Sequence, residues 1–258
     1  MNLKIIKMIT ITVIMPYFKK KSFFKQAYYS ALNQGVKNLE IIIIYDDYDR
    51  SDIFFLRKII NNRKNTILIV NDRNFGAGIS RNIGIKRARG KYISFLDCDD
   101  IWKKNKIKYQ LNFMKKNNLN ISYTSYSVID KFGNQLYDVK VKNEMMYKDF
   151  LRSCDIGLST VVMKKSIFNN FKFNKIKTKE DYLLWLQLSN SNYKFIGIKK
   201  ILSSWRVNKN SLSNNIIQKV SDSFRIYYQF EKQNFLKTIF SIVVLSLLAF
   251  KKNRFLKL

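Results

Sequence analysis

Three carboxylates fall within four residues in the segment Asp97-Cys98-Asp99-Asp100, called the acidic cluster below. Clustered carboxylates repel one another unless a cation or a basic side chain neutralises them. Magnesium and manganese prefer oxygen ligands and are typically held by one or two carboxylates together with substrate phosphates. Because alternate residues of an extended segment point the same way, Asp97 and Asp99 could share one such ion. The alternative is that Asp99 or Asp100 caps a helix that begins near Ile101.

The lack of histidine narrows the chemistry further. The chain has no histidine and only two cysteines, Cys98 and Cys154. This composition excludes a histidine base, a histidine-dependent nucleophilic triad and the usual zinc sites, and it disfavours a disulfide framework. A carboxylate is therefore the side chain expected to accept a proton at neutral pH. The adjacent acids Glu180 and Asp181 offer two such carboxylates. The alternative is that they mark a helix N-terminus, where the macrodipole favours negative charge.

A glycine-containing segment at residues 74–84 precedes the acidic cluster. Gly76 and Gly78 do not complete a GxGxxG pattern, because Arg81 stands where the third glycine would be, and this disfavours a dinucleotide fingerprint. Flexible glycines followed by an arginine suit a nucleotide diphosphate instead, since a guanidinium donates in a planar, bidentate arrangement. Arg81 is therefore a candidate diphosphate ligand. The alternative is a surface helix whose basic side chains are only solvated.

The first hundred residues alternate between two kinds of apolar pattern. Strands are predicted at 9–15, 40–45, 66–70 and 92–96, and helices at 22–34, 53–60 and 79–88. Four consecutive isoleucines in the second strand are typical of a strand buried on both faces of a parallel sheet. The alternation predicts a doubly wound sheet with right-handed crossovers. In such sheets ligands bind beyond the carboxyl ends of the strands, which is where Asp46-Asp47 and the acidic cluster fall.

The pattern becomes less regular after residue 101. A basic helix is predicted at 102–117, a strand at 121–129, a hairpin turn at 130–134 and an amphipathic helix at 181–188. Residues 1–8 lack the apolar core of a signal peptide. An uncharged apolar segment at 238–250 is shorter than the roughly 20 residues that span a bilayer. With basic residues following it, the segment is interpreted either as a core helix or as an interfacial helix on anionic lipid.

Charge alone leaves several classes of partner open. The formal net charge is +30, from 48 basic and 18 acidic side chains. Nucleic acid, an anionic membrane surface and a genomic compositional bias each explain such an excess. Lysine, asparagine and isoleucine are all abundant, which favours the third explanation for part of it. The acids are concentrated at predicted strand ends, and this argues against a nucleic-acid-binding protein.

Four segments follow one another along the chain in an order that is itself informative. They are Ile11-Thr-Val-Ile-Met-Pro16, residues 40–47, residues 74–84 and residues 90–100. Together they resemble the donor half of the family-two glycosyltransferases, which have the GT-A fold. Glu180-Asp181 resembles the later acidic motif of that family, and residues 205–213 resemble its C-terminal arginine motif. The resemblance therefore extends to about residue 213.

The resemblance implies an inverting transfer from a nucleotide sugar. Pro16 and its neighbours would line the nucleotide pocket, and Asp47 would accept a hydrogen bond from a pyrimidine ring. Asp97 would contact the ribose or the metal, and Asp99 would bind the Mg²⁺ or Mn²⁺ that bridges the diphosphate. Asp181 would be the general base that deprotonates the acceptor hydroxyl.

The arginine motif is the least regular part of the resemblance. Arg206 is a candidate phosphate ligand, with a solvated surface role as the alternative. Asn208 stands two positions later, where members of the family often have a histidine. An asparagine could still donate a hydrogen bond at that position.

The predicted architecture is GT-A-like α/β, with a doubly wound, mainly parallel sheet, helices on both faces and a helical C-terminal extension. Residues 1–105 form the predicted donor-binding half. Residues 106–213 form the acceptor-binding half with the catalytic base, and residues 214–258 form a basic, apolar segment that is a candidate for membrane association.

The expected activity is transfer of a sugar from a UDP- or dTDP-linked donor to a lipid-linked saccharide, in surface-polysaccharide synthesis. The expected location is the cytoplasmic face of the cell membrane, with an anionic membrane surface as a partner and no nucleic acid. Two alternatives stay open, a nucleotidyltransferase of related fold and a basic, non-enzymatic nucleic-acid-binding protein.

Overall fold

The computed structural model describes residues 8–153, 156–207 and 215–254. Its strands are β1 (Ile11–Tyr17), β2 (Leu39–Tyr45), β3 (Thr66–Val70), β4 (Tyr92–Phe95), β5 (Ile101–Trp102), β6 (Ile121–Ile129), β7 (Gln135–Val139), β8 (Glu144–Met145), β9 (Val162–Lys164) and β10 (Phe195–Arg206). Its α-helices are α1 (Lys21–Leu32), α2 (Ile53–Ile60), α3 (Ala77–Arg87), α4 (Lys106–Lys116), α5 (Tyr147–Phe150), α6 (Glu180–Asn190), α7 (Ile216–Arg225) and α8 (Phe235–Arg254). Short 3-10 helices at Leu158–Thr160 and Lys165–Asn169 and a π-helical turn at Ile226–Phe230 connect them. The predicted alternation of strands and helices is confirmed.

All ten strands belong to one sheet, in the order β3-β2-β1-β4-β9-β6-β10-β5, with β7 beside β6 and β8 beside β10. The long ladders β1–β2, β2–β3, β1–β4 and β6–β10 are parallel, and the shorter pairings around β9, β5, β7 and β8 are antiparallel. The antiparallel β9 joins the N-terminal parallel strands to β6 and β10. The sheet therefore runs without a break across the predicted boundary at residue 105, and the division of labour between the two halves stays a prediction.

The four isoleucines of β2 show why this strand is fully buried. Ile42 and Ile44 pack in one core cluster with α3 and α6, whereas Ile41 and Ile43 pack in the other with α1, α2 and α4. Successive side chains of a strand point to opposite faces of the sheet, so both faces must be covered. The helices on both faces, and with them the predicted GT-A-like α/β class, are confirmed.

The predicted helix at 102–117 is wrong at its start. Ile101–Trp102 forms β5, which pairs with Ser203–Ser204 of β10. The buried indole of Trp102 donates to the carbonyl of Ser159 at 2.6 Å, and this contact holds the residue in the sheet. Helix α4 begins four residues later at Lys106, after Asn105 in a left-handed conformation. A helix cap by Asp99 or Asp100 is therefore wrong as well.

The C-terminal extension is helical, as predicted. The apolar segment at 238–250 lies within α8, which has Thr238 and Leu245 buried but leaves Leu236 80%, Phe240 68% and Leu247 62% exposed. Most of the described apolar side chains of α8 are thus not part of the core. No helix in the described part of the chain is long and apolar enough to cross a membrane.

Candidate active site

A pocket of about 430 Å³ opens between the two halves of the sheet and is called the crevice below. The turn after β4 contributes Asp97, Asp99 and Asp100 to its lining, and the start of α6 contributes Glu180 and Asp181. Residues that are about eighty positions apart in sequence therefore surround one space. Arg81 and Arg206 line the same crevice, so five of the seven predicted site residues meet there.

Arg81 connects the two acidic segments. Its guanidinium donates to Oδ1 of Asp97 at 2.7 Å and to Oε1 of Glu180, and its side chain is only 5% exposed. Burial by itself would lower the pKa of Arg81, but the charges of Asp97 and Glu180 outweigh burial and raise it. The alternative of a solvated Arg81 is therefore wrong. The residue bridges the two walls of the crevice, and its part in binding a diphosphate stays a prediction.

Two glycines of α3, Gly78 and Gly84, allow close packing. An added Cβ at Gly78 would lie 3.1 Å from the carbonyl oxygen of Asn174 and 3.2 Å from Cγ of Glu180. Farther along α3, a Cβ at Gly84 would lie 2.6 Å from Cγ2 of Ile14 on β1. The absence of side chains thus lets α3 approach both α6 and the sheet, and this approach brings Arg81 to Glu180.

Asp99 has a basic partner that the sequence analysis did not identify. Lys20, directly before α1, donates to Oδ2 of Asp99 at 2.5 Å. The side chain of Asp99 is 15% exposed and that of Asp97 is 38% exposed, so both reach the crevice. In the described ranges no group of three or more Asp, Glu, Cys or His residues is arranged around a common point for a metal ion. Two carboxylates suit Mg²⁺ or Mn²⁺ when substrate phosphates supply the remaining oxygens.

Asp100 differs from its neighbours because it is 3% exposed. Its carboxylate accepts a hydrogen bond from the hydroxyl of Ser159 at 2.5 Å and one from the backbone N–H of Arg206 at 3.1 Å. Burial, reinforced by the charges of Asp99 and Asp97, raises the pKa of Asp100 well above its ordinary value. Asp100 therefore fastens the turn after β4 to the end of β10.

Arg206 is buried, which makes the alternative of a solvated surface role wrong. Its guanidinium donates to the backbone carbonyls of Asp99, Asp130 and Lys131 at 2.9 to 3.1 Å and to Oε1 of Gln26 at 2.8 Å. Burial lowers its pKa below the ordinary value for arginine. The side chain thus holds the backbone of the acidic cluster, and its contact with a phosphate stays a prediction. Asn208 and the rest of the motif to residue 213 lie outside the described residues.

The acids after β2 have different surroundings. The carboxylate of Asp46 accepts hydrogen bonds from Nδ2 of Asn71 and from the backbone N–H groups of Phe75 and Gly76, at 2.7 to 2.9 Å. It thereby holds the loop before α3, a role that no motif predicted. Asp47 accepts one hydrogen bond, from the backbone N–H of Asp49 at 3.2 Å. Pro16 lies near the end of β1, paired with Ile44 of β2.

Asp181 lies in the first turn of α6, beside Glu180. Desolvation by burial, with a contribution from the charge of Glu180, raises the pKa of Asp181 to about 7, against the opposing effect of Arg81. One of its oxygens accepts a hydrogen bond from the backbone N–H of Tyr182 at 2.7 Å. A carboxylate with a pKa near neutrality is well matched to accept a proton during a reaction at pH 7.

The fold and these carboxylates define a glycosyltransferase of the GT-A class. The sequence model described as "Glycosyl transferase family 2" matches residues 12–177. The chain belongs to this family and is a hexosyltransferase-type glycosyltransferase. This assignment argues against the two alternatives, a nucleotidyltransferase of related fold and a non-enzymatic nucleic-acid-binding protein.

Two curated relatives match over nearly the whole chain. An uncharacterized glycosyltransferase of Haemophilus influenzae is 31% identical over 245 residues, which cover 95% of this chain and 98% of the relative. The UDP-Glc:alpha-D-GlcNAc-diphosphoundecaprenol beta-1,3-glucosyltransferase WfgD of Escherichia coli is 30% identical over 247 residues, which cover 95% of each.

Solved structures agree on the fold. TarS of S. aureus in complex with UDP-GlcNAc superposes with a TM-score of 0.68 at 16% identity, covering 92% of this chain and 70% of that one. A mannosyltransferase from Pyrobaculum calidifontis in complex with GDP-Man and Mn²⁺ gives a TM-score of 0.67 at 12% identity, covering 87% and 64%.

Proposed function

We propose that the protein transfers a sugar from a UDP- or dTDP-linked donor to a hydroxyl of a lipid-linked saccharide, with inversion at the anomeric carbon. The observation that carries this proposal is the crevice. It is lined both by the carboxylates of the acidic cluster and by Asp181, whose pKa is raised to about 7. Such a pocket has room for a sugar between a site for the leaving diphosphate and a base.

The donor binds at the carboxyl ends of β1, β2 and β4. Pro16 lines the nucleotide pocket, Asp47 accepts a hydrogen bond from the pyrimidine ring, and Asp97 contacts the ribose or the metal. Arg81 and Arg206 lie next to the diphosphate. Because both guanidinium groups are already bonded to the protein, they keep Asp97 and the backbone of Asp99 in place as well.

Mg²⁺ or Mn²⁺ fits this donor site. Asp99 would hold the ion with Asp97, and when bound the ion would stabilise the negative charge that accumulates on the departing nucleoside diphosphate. Lys20 would keep Asp99 correctly oriented through the ion pair that joins them. The hard oxygen donors of these two aspartates suit either ion.

Asp181 takes the proton from the acceptor hydroxyl as that oxygen attacks the anomeric carbon. Its partly desolvated position keeps the carboxylate basic, while Arg81 prevents the pKa from rising further. The bond to the diphosphate oxygen breaks on the opposite side of the sugar, so the configuration inverts. The proton ends on Asp181 and leaves to solvent.

The acceptor is inferred from the surroundings of the crevice and from the relatives. WfgD and WfaP, which is 34% identical over 208 residues, are both named as acting on alpha-D-GlcNAc-diphosphoundecaprenol. A polyprenyl-linked saccharide stays at a membrane, so the protein would work at the cytoplasmic face of the cell membrane. The pathway it serves would be surface-polysaccharide synthesis.

A panel of nucleotide sugars with Mg²⁺ or Mn²⁺ tests the function, with release of nucleoside diphosphate as the measurement. Asp99→Ala and Asp181→Ala are expected to lower turnover of the accepted donor by about 10²- to 10⁴-fold, the range of a lost acid–base group or metal ligand. Asp138→Ala, an exposed acid outside the crevice, is the matched control. Wild-type rates in both site variants would contradict the mechanism.

Membrane association is the second part of the proposal. Exposed apolar side chains of α8, among them Leu236, Phe240 and Leu247, would insert into the headgroup region, and the excess of basic residues would attract anionic lipid.

Binding to vesicles of phosphatidylglycerol and phosphatidylethanolamine measures this association. Changing Leu236, Phe240 and Leu247 together to Glu is expected to weaken binding at least tenfold, because each buried apolar side chain contributes about 1.5 kcal/mol or more. The matched control places three Glu residues at Phe54, Phe132 and Leu136, which are exposed to a similar degree but lie outside the C-terminal helices. Equal losses in both variants would refute a role for α8.

A further inference from the structure

Three lysines line the crevice beside its acids. Lys177 and Lys179 come from the segment that leads into α6, and Lys219 comes from the second turn of α7. Lys177 and Lys179 lie four and two residues before Asp181 in the sequence, and all three lysines line the same crevice as Asp181. The proposed catalysis assigns no role to any of them.

A buried clamp fixes the positions of these lysines relative to each other. Asp222 of α7 is fully buried, and its Oδ2 accepts hydrogen bonds from the backbone N–H and the hydroxyl of Thr178, both at 2.8 Å. Thr178 stands between Lys177 and Lys179, and Asp222 is one helical turn beyond Lys219. The two hydrogen bonds therefore hold the segment that carries Lys177 and Lys179 next to the helix that carries Lys219. Solvated surface lysines would not need such a buried connection.

Lys177 and Lys219 have no carboxylate partner among the described residues. Lys219 is partly buried, and desolvation lowers its pKa. A partly desolvated ammonium without a counter-ion costs free energy, which an anionic ligand would recover. Lys179 packs near the ring of Tyr182, at 5.7 Å from its centre.

Exposed apolar side chains neighbour Lys219 on α7. The first turns of this helix leave Ile216 73%, Ile217 83% and Val220 45% exposed. Lys219 therefore belongs both to the crevice that Asp181 lines and to a helix with an exposed apolar surface. A lipid-linked saccharide likewise joins a sugar, a diphosphate and a hydrocarbon chain.

We propose that Lys177 and Lys219, held by the Asp222–Thr178 clamp, bind the diphosphate group of a lipid-linked acceptor, whose hydrocarbon chain leaves over the first turns of α7. This inference rests on the proposed function and names the acceptor subsite. The chemistry recognised is a diphosphate, which could also belong to the donor nucleotide. The position favours the acceptor, because the lysines neighbour the base, whereas the donor site is assigned to the acidic cluster.

Direct binding of decyl diphosphate to the full-length protein tests this subsite without requiring a known sugar. Titration calorimetry is performed with the donor site saturated by UDP and Mn²⁺. Lys177→Ala with Lys219→Ala is expected to raise the Kd for decyl diphosphate about 100-fold, since a charge-assisted hydrogen bond contributes about a factor of ten or more each. The Kd for UDP is expected to stay unchanged.

Two further variants control for charge and for folding. Lys58→Ala with Lys116→Ala removes the same net charge from exposed positions outside the crevice and is expected to bind decyl diphosphate like the wild type. Lys177→Arg with Lys219→Arg keeps both charges and is expected to retain most of the affinity.

The outcomes separate this inference from the proposed function. No binding by the wild type, an equal loss in the exposed-lysine control, or a loss for UDP instead of decyl diphosphate would each overturn the acceptor subsite. A wild type that binds decyl diphosphate yet turns over no nucleotide sugar would instead overturn the proposed transfer. In a turnover assay the subsite predicts a raised KM for the diphosphate-linked acceptor only.

Discussion

Two pairs of adjacent acids flank the ligand-binding edge of the sheet, Asp46-Asp47 after β2 and Glu180-Asp181 at the start of α6. The protein binds Asp46 more fully than Asp47, whereas Glu180 and Asp181 accept one hydrogen bond each, from Arg81 and from the backbone N–H of Tyr182. The Asp46 carboxylate accepts hydrogen bonds from one side-chain amide and two backbone N–H groups, whereas Glu180 pairs with a buried arginine that also holds Asp97. The first pair therefore shapes a local loop, and the second connects the two walls of the crevice.

The comparison shows that one residue of an acidic pair can position the other. Asp46 fixes the loop before α3, and Asp47, with a single hydrogen bond from the protein, is the residue proposed to contact the donor. Glu180 holds Arg81 near Asp181 and, through its own charge, helps to raise the pKa of Asp181. A motif that contains two acids thus does not assign two equivalent ligands.

Asp46→Ala is expected to have the largest effect within these pairs. Removal of its carboxylate leaves the amide of Asn71 and the N–H groups of Phe75 and Gly76 without their acceptor, and this should lower the free energy of unfolding by about 3 kcal/mol. Chemical denaturation measures the change.

The matched variant is Asp47→Ala, which removes one backbone hydrogen bond and is expected to cost about 1 kcal/mol. It should instead weaken binding of the donor nucleotide about tenfold, as expected for one lost hydrogen bond to a ligand. Similar losses of stability in both variants would break the distinction between a structural and a ligand-binding aspartate.

Much of this architecture was predictable from the sequence because it depends on local patterns. The isoleucines of β2 specified a strand covered on both faces, and α2 and β3 begin and end where the apolar spacing places them. The helix expected at residue 102 failed because the partner of β5 is Ser203–Ser204, a hundred residues away. Local spacing carries no information about such a distant pairing.

The proximity of the candidate site residues was predictable in part. Asp97 and Asp99 were identified by residue type and Asp181 by the family resemblance, and the crevice brings the three together, while their roles stay predictions. The partners Lys20, Ser159 and Gln26 were missed, since an isolated lysine, serine or glutamine has no motif. Arg206 was identified, but its bonds to backbone carbonyls could not be, because backbone acceptors leave no trace in a sequence. Gly78 was noted in the sequence as part of a glycine-containing segment. The reason for a glycine there, the close approach of α3 to Glu180, is visible only in the structure.

A smaller effect is expected from the second acidic pair, in the pH dependence of transfer. A base must be ionised to accept a proton, so the wild-type kcat is expected to rise with pH up to about 7 and to level off above it, following the pKa of Asp181. Glu180→Gln removes the neighbouring negative charge but keeps an acceptor for Arg81. Because a like charge raises a carboxyl pKa, its removal lowers the pKa of Asp181, and the positive charge of Arg81, no longer offset by Glu180, adds to the same shift.

The acidic limb of the Glu180→Gln profile should therefore move to lower pH, by about one unit, which corresponds to about 1.4 kcal/mol. At a pH below the wild-type limb the variant should retain a larger share of its maximal rate than the wild type does. Asp97 and the lysines of the crevice are unchanged in this variant, and Asp138→Asn, at an exposed position of β7, controls for net charge. A limb that stays in place, or moves equally in the control, would show that Glu180 only holds Arg81 and does not set the basicity of Asp181.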